Sequence, residues 1–235
     1  ELKSLNLKSF DVSEVTQMTN MFTYCISLTS LDLSSFKTSL VTNMNSIFSG
    51  CKSLGYLDIS NFDTSKLTDM GNMFSECYSL SSLNVSHFNT KNVNKMDSLF
   101  KDCYKLTSLD LSNFITDEVT AMGSMFSSCS SLSNLDLSSF NTKKVTSMLG
   151  MFFNCTSLTS LDISSFEINN VFFMENMFQS CHSLKSIDLT NFIGKNVNSI
   201  DNLFKDCYNI TYIDLSNFEA NPLYIYSAFQ NCYSL

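Results

Sequence analysis

The chain has 235 residues, 14 lysines, no arginine and 22 acidic residues, for a formal charge of −8, with 44% apolar residues. An acidic chain without arginine is a poor nucleic-acid partner, because phosphate contacts dominate that affinity. A domain count from length does not apply either, because the sequence repeats itself. Cysteine recurs every 26 residues from Cys25 to Cys207 and then at Cys232, and phenylalanine recurs every 26 from Phe10 to Phe218. A fixed period in this range marks a solenoid, propeller or array. In a solenoid each coil buries its apolar side chains against the coils before and after it.

The units in chain order are 2–27, 28–53, 54–79, 80–105, 106–131, 132–157, 158–183, 184–209 and 210–234. No Pro/Gly-rich linker or charge block separates them, so the expectation is one domain over 1–235. Leu2-Lys3-Ser4-Leu5 matches Leu28-Thr29-Ser30-Leu31, and the chain stops inside a unit at Leu235. The expectation is therefore a segment of a longer protein. No secretory leader, apolar span or lipidation motif is recognisable, and no membrane insertion by this segment is expected.

Each unit opens on L-x-x-L-x-L, as in Leu28, Leu31, Leu33 and Leu54, Leu57, Ile59, down to Ile210, Ile213, Leu215. Alternation of apolar and polar residues predicts a strand, with Leu109 and Leu111 inward and Ser108, Asp110 and Ser112 outward. One strand per coil, about 4.8 Å apart, predicts a parallel sheet along the axis. The second half changes period. Leu67, Met70, Met73, Phe74, Cys77 and Leu80 step by three and four, which predicts a short α or 3-10 segment. Thr64–Ser65, Thr90 and Thr142 are placed to cap it. Between the halves, the column containing Phe62 predicts a stacked aromatic spine. The last unit departs from the pattern. It lacks one residue between Phe218 and Phe229, has Ala228 in place of Met, and carries Pro222, the sole proline.

The notable polar feature is the middle of L-x-L: Asp32, Asp58, Asp110, Asp136, Asp162, Asp188 and Asp214, with Asn6 and Asn84 in the remaining copies. Without these seven carboxylates the formal charge of −8 becomes −1. Three readings stand side by side. The stripe is a solvated face accepting hydrogen bonds from Ser34, Ser60, Ser112, Ser138, Ser164, Thr190 and Ser216. Or it is a recognition strip for a basic or hydroxyl-rich partner, flanked by Tyr56 and Tyr212. Or it orders calcium, which wants six to eight oxygens per site. Evenly stacked cysteines predict a buried thiol ladder rather than disulfides, and without C-x-x-C no zinc site is expected. The Met18 to Met174 column reads as core. His87 and His182 occupy non-equivalent positions and form no catalytic set. No cofactor or metal is expected. The sequons at Asn84, Asn154 and Asn209 are as frequent as chance supplies and do not indicate secretion.

The unit LxxLxLSxF…VTxMxxMFxxCxSL resembles the BspA-like leucine-rich repeat in its 26-residue bacterial surface-protein form, over the whole chain. The position held by Phe36 and Phe62 is Asn in ordinary leucine-rich repeats, so no asparagine ladder is expected there. The resemblance implies an α/β leucine-rich-repeat solenoid of nine coils, with one parallel β-sheet face and short α/3-10 segments on the opposite face. It implies an extracellular or cell-surface place and a non-enzymatic module that binds a protein or glycan on host, matrix or neighbouring cells. The alternative is a structural subunit of an extracellular filament or surface layer, assembled end to end.

Overall fold

The computed structural model describes residues 2–219 and 222–235. Successive coils lie in register, as parallel bridges one repeat apart show: Gln17↔Asn43, Asn43↔Asp69, Asp69↔Lys95, and on to Ser199↔Tyr224. The leucine, methionine and cysteine columns fill the interior, with Leu54, Met70, Met73, Phe74 and Cys77 all fully buried.

The second half of the repeat buries the side chains expected of it, but not on a helix. Among the described residues there is no helix, and the expected α and 3-10 segments are corrected to stacked turns. The coil 28–53 shows how. The N–H groups of Ile47, Ser49 and Cys51 donate three residues back, to the carbonyls of Met44, Ser46 and Phe48, at 3.2, 3.1 and 3.1 Å. The alternate N–H groups, of Met44, Ser46, Phe48 and Gly50, donate instead to the next coil, to Asp69, Gly71, Met73 and Ser75, at 3.0, 2.9, 3.1 and 2.8 Å. Ser46 and Gly50 have φ of 57° and 72°. Positive φ at the third residue is what a type II turn requires. An α-helix needs N–H to carbonyl four residues back throughout, and a left-handed residue at every fourth position forbids it.

The same pair of positive φ values recurs in every coil, at Asn20 and Tyr24, Asn72 and Glu76, Ser98 and Asp102, and on to Ser227 and Asn231. Each non-glycine residue there costs about 1–2 kcal/mol of backbone strain. What offsets the strain is a turn edge in which alternate N–H groups bond within the coil and to its neighbour. Met44, Ile47, Phe48 and Cys51 are fully buried, so the steps of three and four are real. They belong to consecutive turns.

The expected continuous sheet is also corrected. Among the described residues two strands form, β1 (Ser186–Asp188) and β2 (Tyr212–Asp214), parallel, with Ser186 opposite Tyr212 and Asp188 opposite Asp214. Elsewhere the L-x-x-L-x-L segments are extended but barely joined. Ser81 N–H reaches the Gly55 carbonyl at 3.5 Å, and Thr159 N–H reaches that of Ser133 at 3.5 Å. Part of the reason is local. Two residues after each stripe Asp or Asn, the backbone N–H turns back to that side chain and is lost to any ladder.

Two further columns tie coil to coil. Thr38, Thr64, Thr90, Thr116 and Thr142 are buried and cap no helix. Each hydroxyl donates to a carbonyl 25 residues on and accepts the N–H of that same residue. For Thr116 the partner is Asn141, at 2.9 and 2.7 Å. The ladder stops at Glu167, because Ile168 and Gly194 replace threonine, and the Ile168 Cδ1 fills the space a Gly194 side chain would take. All nine cysteines are free. From Cys51 onward each thiol donates to the carbonyl of a phenylalanine in the preceding coil, as Cys103 does to Phe74 at 3.2 Å. The stacked spine lies in the other phenylalanine column. Phe22, Phe48, Phe74, Phe100, Phe126, Phe152, Phe178, Phe204 and Phe229 stack in sequence at 5.1–6.0 Å. In the Phe62 column, Phe62 is buried and meets Phe48, while Phe10 and Phe36 form a tilted pair.

Candidate functional site

The stripe carboxylates stand on the opened L-x-x-L-x-L face, exposed at six positions and half-buried at Asp214. Their order comes from the backbone. Oδ1 of Asp32, Asp58, Asp110, Asp136, Asp162, Asp188 and Asp214 accepts the N–H of Ser34, Ser60, Ser112, Ser138, Ser164, Thr190 and Ser216, at 2.8–3.1 Å. The hydroxyls of Ser34 and Ser112 add a second bond at 2.7 Å. Asn6 and Asn84 make the same turn to Lys8 and Ser86.

These bonds favour the ionised form. The Ser34 and Ser112 hydroxyls and backbone N–H groups hold Asp32 and Asp110 below the ordinary carboxylate range. For Asp58, Asp136, Asp162 and Asp214 the backbone N–H is the first cause and the serine hydroxyl the second. Repulsion within the stripe works the other way and is the lesser effect: Asp136 raises both Asp110 and Asp162. The carboxylates are therefore charged and pre-oriented.

Because the coils part on this face, shallow clefts open between them. One, of about 540 Å³, lies between the segments of Tyr56–Ser60 and Ser82–Asn84 and reaches Ser108 and Asp110. It brings Tyr56, Asp58 and Asp110 around Asn84. A second, of about 460 Å³, is lined by Asp136 and Asp162 with Ser108, Asn134 and Ser160. A third joins Tyr212 to Asp188 and Asp214, and the Tyr212 hydroxyl donates to Asp214 Oδ2 at 3.3 Å. Asp32 shares a further cleft with Asp58 and Asn61. The nine candidate residues thus fall into neighbouring clefts along one face. The clefts also bring in Ser82, Ser108 and Ser160, which were not among the site candidates; their signal was a small polar residue just before the first leucine of L-x-L. His87, which the sequence places outside any catalytic set, lies beside the stripe, its Nε2 3.1 Å from the Ile59 carbonyl, and helps to lower Asp58.

Among the described residues no group of three or more His, Cys, Asp or Glu is placed to hold a metal ion, and no helix is long and apolar enough to cross a membrane.

A family model described as "Mycoplasma protein of unknown function, DUF285" matches residues 1–109, 51–161 and 98–218. No curated protein matches the chain. Among solved structures, a leucine-rich repeat protein of T. pallidum is 22% identical, with 70% of this chain and 69% of that one covered and a TM-score of 0.45. One from Bacteroides ovatus is 20% identical, covering 95% and 70%, with a TM-score of 0.45. A leucine-rich cell-surface protein of Faecalibacterium prausnitzii is 21% identical, covering 95% and 76%, with a TM-score of 0.37.

Proposed function

Since the chain belongs to this family of Mycoplasma proteins, whose description assigns no activity, we propose its function from its own geometry: a non-catalytic interaction module that binds a basic protein surface through the Asp face. Its repeats are BspA-like leucine-rich repeats, and we read 1–235 as one solenoid domain at the cell surface. The observation that carries the reading is the row of seven carboxylates, six exposed and Asp214 half-buried, each fixed by a backbone N–H and arrayed along open clefts. An ordered row of like charge selects a partner of opposite charge and speeds encounter with it. Tyr56 and Tyr212 add amphipathic rings of the kind enriched at interfaces.

Oligolysine is the probe. Replacing Asp110, Asp136 and Asp162 together with Asn should weaken its binding and flatten the salt dependence. The melting temperature should stay equal or rise slightly, because Asn84 already makes the same turn. Binding should persist to pH values below the usual aspartate range near 3.9, since the folded carboxyls of Asp32, Asp58, Asp110, Asp136, Asp162 and Asp214 titrate low, and vanish as they protonate. A triple variant that binds like the parent would sink the reading. Binding of neutral oligosaccharide in its place would move the partner to glycan. A calcium-dependent rise in melting temperature, lost in the variant, would move it to metal.

A further inference from the structure

The turn edge, away from the Asp face, is polar in most coils. Gln17, Asn43, Asp69, Lys95, Ala121 and Ser147 hold its bridge positions. The character then changes. Leu149, Phe172 and Phe173 are 43%, 40% and 49% exposed. Phe173 bridges Ser199, which bridges Tyr224, so the two rings lie two coil steps apart on one line. Ser199 between them is only 4% exposed, whereas the other described residues of that column are half-buried or exposed. Its column neighbours on either side are Phe173 and Tyr224. A cluster of large apolar side chains on an otherwise polar edge marks an interaction surface.

Glu175 sits within this patch, one coil on from Leu149 and one short of Asp201, as the bonds from Gly150 N–H to the Glu175 carbonyl and from Asn176 N–H to the Asp201 carbonyl show. Its Oε2 is buried and has no hydrogen-bond partner among the described residues. Asp201 is already engaged, its Oδ1 accepting the Tyr226 N–H at 2.6 Å. A shielded carboxylate oxygen without a donor is costly, and a cation brought by a partner removes the cost. The same negative charge disfavours an anionic lipid surface.

We propose that Leu149, Phe172, Phe173, Tyr224 and Glu175 form a second docking surface, for a protein segment that presents a large apolar side chain beside a lysine or arginine. Aromatic anchors that exclude water at the centre of a contact are a frequent make-up of a binding hot spot. This surface is separate from the Asp face and does not depend on that reading.

The test titrates the whole chain with Asp110, Asp136 and Asp162 replaced by Asn, so that lysine binding at the Asp face is weakened, with a Gly/Ser peptide carrying Phe–Lys pairs, with one carrying Phe–Glu pairs, and with one carrying Lys alone. The Phe–Lys peptide should bind at least about tenfold more tightly than either of the others. Phe172→Ser with Phe173→Ser should weaken it by about tenfold or more, as should Leu149→Ser alone to a lesser degree, with the melting temperature near the parent's because these residues are exposed. Glu175→Gln, added to that variant, should remove the preference for Lys over Glu. Equal affinity for the Lys-only peptide would overturn the proposal. So would unchanged binding in the Phe variants. Self-association of the parent that the Phe variants abolish would assign the patch to a second copy, and preferential binding of phosphatidylcholine vesicles would assign it to lipid; either result overturns it.

Discussion

The hydroxyl of a buried threonine shows how much one atom can hold in this molecule. Thr116 Oγ1 both donates to the Asn141 carbonyl and accepts the Asn141 N–H, so it satisfies two backbone groups of the next coil. Thr116→Val keeps the shape and removes both bonds. Each buried group left unpaired costs about 1–3 kcal/mol, so the loss should be about 2–5 kcal/mol by denaturant unfolding. Thr116→Ser keeps the hydroxyl and should cost far less. Equal losses for Val and Ser would assign the effect to packing. The natural break in the ladder follows the same logic. Where Ile168 and Gly194 replace threonine, an apolar group fills the gap and no hydroxyl is stranded.

At the scale of the element, the column rather than the helix or strand is the unit. The cysteine column is fixed by sulfur-to-carbonyl bonds and by burial. Burial raises the thiols of Cys51 and Cys155 to about 12 and those of Cys77, Cys103, Cys129 and Cys181 well above the ordinary value. The thiolate is the reactive form, so these groups should resist labelling in the native protein. Cys25 and Cys232, half-buried in the end coils, should react first, and all nine should react after denaturation. Four disulfides on non-reducing peptide mapping would contradict the ladder. The stacked phenylalanines add about 0.5–1.5 kcal/mol per pair beyond burial, which makes the M-F half of the repeat the stiff side of each coil.

Over the whole molecule, stability comes from contacts between neighbouring coils. The ion pairs also cross coils, Lys52 to Glu76 half-buried and Lys144 to Glu118 exposed among them, and an exposed pair contributes little. The architecture makes a spectroscopic prediction. Far-ultraviolet circular dichroism of the folded chain should lack the double minimum of helix, despite a helix-like apolar pattern in nine successive repeats. A clear helical spectrum would reject the turn ladder.

The sequence by itself determined the number and register of the coils, the interior columns and the place of the carboxylate stripe. Each of these depends only on which residues recur at which spacing, and a 26-residue period stacks equivalent residues whatever the local backbone does. The backbone itself was decided in the tertiary structure. Met44, Ile47, Phe48 and Cys51 bury the same face whether the chain turns as a helix or as consecutive type II turns, so periodicity cannot separate the two. What separates them is where the N–H of Ser46 and Gly50 finds its acceptor, and that acceptor lies in the following coil, at Gly71 and Ser75. The same holds in part for the stripe. Asp at the centre of L-x-L and its bond to the residue two on were legible, but the clefts beside it follow from how far neighbouring coils part on that face.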